Sequence, residues 1–227
     1  FPTRRSSDLN AGSALASKAT GYPLAFIATK LALGYALNEV ENIITKETSA
    51  CFEPALDYVA LKFPRWDLQK FKQVSTYLGS EMKSVGEVMS LGRSFEEVLQ
   101  KAIRMLDIGM KGFVCNGLEY EDLDKQIENP TDKMMFAIAA ALENGYSVEK
   151  IHQLSKITPW FIYKMKNIID SKKKLIGKEL KDVSFELMKE AKQNGFSDLQ
   201  IADLTNSSEI EVRNYRKSLN VIPVVKQ

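Results

Sequence analysis

Asn144-Gly-Tyr-Ser-Val-Glu-Lys-Ile-His-Gln-Leu154 and Asn194-Gly-Phe-Ser-Asp-Leu-Gln-Ile-Ala-Asp-Leu204 follow one pattern at an offset of 50 residues. In each, a glycine stops one helix and a serine caps the next. The offset also matches Ala141 with Ala191, Ile151 with Ile201, Leu154 with Leu204 and Ile162 with Val212. Each unit reads as helix, Gly stop, short Ser-capped helix, turn and longer helix. Two such units would pack their apolar faces into a small bundle. The alternative is chance likeness between helical segments, since a solenoid needs more repeats than two.

Working outward from this pair, residues 113–227 read as all helix. Thr131 follows Pro130 as a possible cap, and Met134, Met135, Ile138, Ala141 and Leu142 line one face until Gly145. Thr158-Pro159 opens a longer helix carrying Trp160, Phe161, Tyr163, Met165, Ile168 and Ile169. Helices also fit 184–194, 197–205 and 208–219.

Ahead of about Gly112 the pattern mixes helix and strand. Residues 13–19 favour helix, Gly21 and Pro23 punctuate it, and Pro23 suits the first turn of a second helix through Leu24, Ile27, Ala28 and Leu31. Residues 38–44 read as a short helical stretch. Asp57-Tyr-Val-Ala-Leu-Lys-Phe63 reads as a strand stopped by Pro64, and 87–92 as a second strand. Ser94 with Glu97 fits a capping box. Phe95, Val98, Leu99, Ala102, Ile103 and Leu106 then give an amphipathic helix. The fold class is therefore mainly α.

Composition narrows the function without naming it. The 227 residues are 44% hydrophobic and 26% charged, which argues against global disorder. A net charge of +2 supplies no global drive onto nucleic acid or anionic lipid. Two cysteines, Cys51 and Cys115, are too few for a disulfide framework and fit a reducing compartment. The apolar stretch over 24–33 carries Lys30 in its middle and falls short of the ~20 apolar residues of a membrane span. His152 is the only histidine, so no metal site is expected, and it reads as a surface or packing residue. No glycine-rich phosphate cradle and no nucleophile motif occurs.

Residues 195–205 with 209–216 resemble a helix-turn-helix, but 195–219 holds four acidic residues against Arg213, Arg216 and Lys217. That stretch cannot neutralise phosphates, and its second helix opens on Glu209 and Glu211. No nucleic-acid and no membrane partner is expected. Lys172-Lys-Lys174 reads as a solvated face at a helix C-terminus.

Three stretches carry a family likeness: Ser13-Ala-Leu-Ala-Ser-Lys-Ala-Thr-Gly-Tyr-Pro23, Cys51-Phe-Glu-Pro-Ala-Leu-Asp-Tyr58 and Met82-Lys-Ser-Val-Gly-Glu-Val-Met89. Phe63-Pro-Arg-Trp-Asp67, Gly92-Arg-Ser-Phe-Glu-Glu97 and Pro159-Trp-Phe-Ile-Tyr-Lys-Met165 fit the same pattern. Together they resemble the large chain of carbamoyl phosphate synthetase, an ATP-dependent carbon–nitrogen ligase. The resemblance implies an all-helical oligomerisation domain preceded by an α+β remnant of an ATP-grasp domain. Residues 10–112 would be the C-terminal part of the first, carboxyphosphate-forming half. Residues 113–227 would be the oligomerisation domain, and residues 1–9 a non-family or disordered tail. The sequence stops at Val225-Lys-Gln227, where the resemblance places the start of a second ATP-grasp half.

In that family the metal and phosphate ligands form a Glu-x-Asn-x-Arg-x-Ser-Arg-Ser pattern just before the position of Ser13. Counting back, these fall on Arg4, Ser6, Asp8, Asn10, Ala11 and Gly12, and every ligand is replaced. The resemblance therefore implies ATP and magnesium (or manganese) in the complete enzyme, but no cofactor, metal or catalytic residue in this chain, which is expected to be inactive alone. Met82 and Glu87 would lie near the carbamate channel; the alternative for Glu87 is one half of an ion pair beside a strand. Implied partners are the remainder of the large chain, a glutaminase subunit or domain, and a second copy through 113–227. The implied location is cytoplasmic. A helical interaction module without catalysis is the competing reading. The helical half is expected to be soluble alone and the first half aggregation-prone, because a severed sheet exposes unpaired edges.

Overall fold

Helix dominates the computed structural model, which describes residues 11–70 and 73–224. The chain divides into two compact units that meet at Ala60 and Leu61. In the first, α1 (Ala11–Thr20) is followed by α2 (Leu24–Ala32), with Pro23 just ahead of α2 as its cap residue. Residues 38–44, expected to be helical, form turns and a bridge between Glu41 and Ser49. The reason is Asn42, which is buried. Its Oδ1 accepts from the Ile44 and Thr45 amides at 3.0 and 3.3 Å, offering the backbone an alternative to helical bonds. The core of this unit is small: Ile27, Val40 and Ala50, with Tyr22 packed against them. The hydroxyls of Tyr22 and Tyr58 donate to the carbonyls of Ala50 and Ala19. Large apolar side chains such as Leu33, Tyr35, Ile44 and Phe52 are left exposed.

Among its described residues the second unit has a core of 27 buried side chains, enough to order a domain of its length. Two antiparallel strands, β1 (Val59–Arg65) and β2 (Gly86–Gly92), lead into it. Pro64, expected to stop the strand, lies inside β1. A two-stranded ladder leaves one side of β1 without bonding demands among the described residues, which is where proline is tolerated. After β2 comes α3 (Phe95–Met105), with all six apolar residues of the expected stripe buried. Ser94 caps it, accepting from the Glu97 amide at 3.2 Å. The capping box is only half made, because the Glu97 carboxylate accepts instead from the Arg93 amide and pairs with Lys101.

The helices α4 (Leu123–Glu128), α5 (Met134–Glu143), α6 (Val148–Ser155) and α7 (Pro159–Leu175) follow. Then come α8 (Phe185–Gln193), α9 (Asp198–Thr205) and α10 (Glu209–Ser218). α5 is buried on nearly every side rather than along one stripe. Thr131 does not cap it; Lys133 holds that position and Thr131 opens the preceding turn. The core of the helical body already includes Phe95, Leu99 and Ile103 of α3. The change of residue pattern near 112 is therefore not a packing boundary.

The 50-residue echo is a structural repeat, α5–α6–α7 matched by α8–α9–α10. Asn144 and Asn194 end the first helix of each copy, and Ser147 and Ser197 cap the second. Lys156 and Asn206 turn out of it with left-handed backbones, and Ile162 and Val212 are fully buried in the third. The copies differ at their glycines. Gly145 and Gly195 share a φ of +83°, but a Cβ at 145 would meet nothing within 4 Å. At 195 it would lie 2.9 Å from the Glu97 Cα, because there α3 crosses backbone to backbone. Gly145→Ala is expected to cost about 1–2 kcal/mol from the left-handed backbone alone. Gly195→Ala should cost a further ~1–3 kcal/mol for the forced displacement of α3. Urea unfolding of both variants measures the difference, and equal losses would contradict the close crossing.

Cys115 lies half-buried in the helical unit, and burial pushes its thiol up to about 11. Cys51 is exposed. A thiol reagent at pH 8 should therefore label Cys51 promptly and Cys115 only after denaturant is added, since the thiolate is the reactive form. Prompt labelling of both in the folded protein would contradict this burial.

Candidate functional site

The two residues singled out for the channel lie at and before β2. Glu87 is on the strand, and its carboxylate is 2.6 Å from Lys62 Nζ on β1, a cross-strand ion pair. Met82 stands in the segment before β2 and is 86% exposed.

β2 is tied to the helical body through α3, and the tie is polar. Gln100 of α3 and Gln200 of α9 are both fully buried. Gln200 Nε2 donates to Gln100 Oε1 at 2.9 Å and to the Val114 carbonyl at 3.3 Å. Gln100 Nε2 donates to the Asn194 carbonyl at 3.0 Å. Gln200 Oε1 accepts from the Ser197 amide, completing a capping box, and from Arg104 Nη1 at 3.2 Å. Buried amides are stable only when so satisfied, and once satisfied they fix a single register. At the other end of α3, buried Glu96 accepts from Asn167 Nδ2 at 2.7 Å and lies 3.5 Å from Lys164 Nζ, both on α7. The residue pattern gave no notice of this joint, although Ser197-x-x-Gln200 carries the spacing of a capping box.

A second polar cluster surrounds Asp198, at the start of α9 and only 6% exposed. Lys192 Nζ lies 2.7 Å from its Oδ1, Arg216 Nε is 3.0 Å from both oxygens, and Arg213 is at 3.5 Å. Burial alone would raise this carboxyl. The Lys192 bond and charge, then those of Arg216, outweigh burial and hold it below the ordinary carboxylate range. Burial lowers the Lys192 ammonium. These contacts bear on the helix-turn-helix likeness, because Arg216 is engaged with Asp198 inside the fold and Arg213 with Glu209 at the surface.

In the Lys172–Lys174 run, Lys173 and Lys174 are exposed, as the solvated-face reading has it, and Lys172 is partly covered. Lys172 pairs with Glu143 at 2.7 Å and Lys174 with Glu190 at 2.7 Å, so the run staples α7 to α5 and α8. His152 closes α6 locally, its Nδ1 donating to the Ile157 carbonyl at 2.7 Å, as a packing residue would. On α7, Trp160 is 53% exposed and Phe161 and Tyr163 are also open, with Phe95, Trp160 and Phe161 in mutual edge contact at 5.0–5.8 Å.

A cleft of about 480 Å³ opens between the end of β1 and the start of α5, with Phe63, Trp66, Leu118 and Phe136 in its wall. At its rim Asp67 pairs with Lys70 at 2.6 Å and Arg65 at 3.2 Å; those bonds, Lys70 first, hold its carboxyl low. In the first unit an open apolar depression runs past Tyr22, Leu37, Phe52 and Pro54. Among the described residues, no group of three or more His, Cys, Asp or Glu could hold a metal ion, and no helix is long and apolar enough to cross a membrane. Arg4, Ser6, Asp8 and Asn10 lie outside the described residues, and the side chains of Ala11 and Gly12 are not described.

Comparison with known proteins puts this arrangement in context. The carbamoyl-phosphate synthetase large chain, oligomerisation domain, matches residues 87–220. The carbamoyl-phosphate synthase L chain, ATP binding domain, matches residues 6–40. The chain is 51% identical over 220 residues to the multifunctional protein pyr1-3 of Dictyostelium discoideum, covering 96% of this chain and 10% of that protein. It is 52% identical over 220 residues to the carbamoyl phosphate synthase arginine-specific large chain of Cutaneotrichosporon cutaneum, covering 96% and 19%. A mitochondrial arginine-specific large chain of Schizosaccharomyces pombe is likewise 52% identical over 222 residues. This chain thus spans about a tenth to a fifth of the length of these relatives. The oligomerisation-domain match runs from β2 through α10, the same stretch that α3 welds into one body, and takes in more than half of the residues. On that match the chain belongs to the carbamoyl-phosphate synthetase large chain family.

Proposed function

We propose that this chain serves as a scaffold and assembly piece of a carbamoyl phosphate synthetase large chain. The complete ligase would make carbamoyl phosphate from bicarbonate, ATP and glutamine-derived ammonia, with magnesium or manganese at the phosphates. The observation that carries the reading is the family match over 87–220 falling on a self-sufficient helical body. Residues 11–60 are the counterpart: a small core, exposed apolar side chains and a short ATP-binding-domain match. That is how a piece of an ATP-grasp half would look without the rest of its domain.

In this reading the helical body presents the surface for self-association, and the exposed aromatics of α7 supply apolar area for it. β2 contributes to the wall of the carbamate route. Glu87, already paired with Lys62, would present a neutralised edge to an anionic cargo, and exposed Met82 would be covered by the remainder of the large chain. The glutaminase subunit or domain would join through that remainder.

Two assays test this. Incubated with ATP, magnesium and bicarbonate, the pure chain should release no phosphate above background, because Arg4, Ser6 and Asp8 stand where anionic and polar ligands are needed. Magnesium-dependent turnover would contradict the scaffold reading. Sedimentation velocity across the micromolar range should show concentration-dependent association that Trp160→Ser weakens. A monomer throughout would remove the assembly role.

A further inference from the structure

The Asp198 cluster has an internal control, because the fold builds the same place twice. At the 50-residue offset, Lys192 matches Leu142 and Asp198 matches Val148, both buried apolar residues. The first repeat thus joins its helix end to the next helix start with two aliphatic side chains. Repeat architecture therefore does not require charge here. Replacing buried ion pairs by such side chains is often neutral or stabilising, so the cluster needs a reason other than stability.

The two copies differ in where the chain goes next. In the first, α7 runs on unbroken to Leu175. In the second, α10 stops at Ser218, and Asn220 turns the chain with a φ of +57°. The Asn220 amide donates to the Lys217 carbonyl at 2.9 Å and the Val221 amide to the Arg216 carbonyl at 2.8 Å, the paired bonds of a helix-ending turn. Arg216 then adds a side-chain bond, Nη1 donating to the Val221 carbonyl at 3.1 Å while its Nε stays on Asp198. The end of α8 uses the same device. There the Phe196 amide donates to the Ala191 carbonyl at 3.0 Å, and Lys192 Nζ donates both to the Phe196 carbonyl at 2.8 Å and to Asp198. One carboxylate thus anchors two helix exits, each through a cation that also grips the first carbonyl beyond the turn.

We propose that Asp198, Lys192 and Arg216 form a latch that sets the direction in which the chain leaves α10, through Val221 to Val224. Arg216 suits the task because its rigid fork spans the two acceptors with separate nitrogens, Nε on the carboxylate and Nη1 on the carbonyl, a reach that the single nitrogen of a lysine at this position would lack. Where a large chain of this family continues beyond α10, the latch would aim that continuation; this last point alone rests on the function proposed above.

The test is carried out on the full 227-residue chain. In the variant Lys192→Leu/Asp198→Val/Arg216→Met, the first two changes transplant Leu142 and Val148 of the first repeat, and the third removes the guanidinium left without its carboxylate. Amide exchange at Val221 should quicken roughly tenfold or more, while protection at Ile201 in α9 is kept. Backbone order parameters at Val221, Ile222 and Val224 should fall with it. Arg216→Lys alone should give the same local release with the fold untouched, and it decides the matter if the triple variant folds poorly. Unchanged exchange at Val221 in Arg216→Lys would overturn the latch. So would loss of protection at Val221 and Ile201 by the same factor, which would make the cluster an ordinary core element. The ATP and sedimentation assays are independent of this result, so failure of the latch and failure of the scaffold reading are distinguishable.

Discussion

The crossing of α3 over the α8–α9 junction is the contact on which the rest of the second unit depends. Two fully buried glutamines meet there, and Gly195 lets the backbones approach to a distance that no side chain would allow. The consequence is mechanical. β2 runs through Gly92 and the Ser94 cap into α3, so whatever fixes α3 also fixes the strand that carries Glu87. A buried amide pair is unforgiving of register, since sliding α3 by one turn would leave both side chains unsatisfied. The apolar contacts of Phe95, Leu99 and Ile103 supply adhesion, and the glutamines supply the address.

The two compact units show opposite economies. The helical unit closes on itself, with serine caps at the starts of α6, α8, α9 and α10 and ion pairs between neighbouring helices. The first unit leaves Leu33, Tyr35, Ile44 and Phe52 in solvent around a core of Ile27, Val40 and Ala50. So little burial offers weak opposition to chain entropy. The pattern fits a family whose relatives are five to ten times longer, in which such surfaces have more chain to pack against.

Much of the helical half was legible because its signals are local. Ser184, Ser197 and Ser208 cap helices where serine spacing places them, and Asn194 ends α8 as its glycine neighbour predicts. The echo at 50 residues foretold matching turns at Lys156 and Asn206. The failures share one cause, which is competition invisible to periodicity. Asn42 diverts its own backbone from helix, and Pro64 survives because its strand has one ladder among the described residues. The candidate site was least legible. Glu87 reveals its Lys62 partner only once the strands pair, and Gln100 with Gln200 are 100 residues apart. Family resemblance singled out Met82 and Glu87; only the fold shows what holds the strand of Glu87 in place.

The central claim is that α3 belongs to the helical body and carries β2 with it. Native-state amide exchange of the whole chain tests this most directly. The account predicts that the Ala102 and Ile103 amides open together with Ile151 and Ile201 in the most protected class, apart from and slower than Ile27 of the first unit. Exchange of Ala102 and Ile103 in step with Ile27, while Ile151 and Ile201 stay protected, would contradict it.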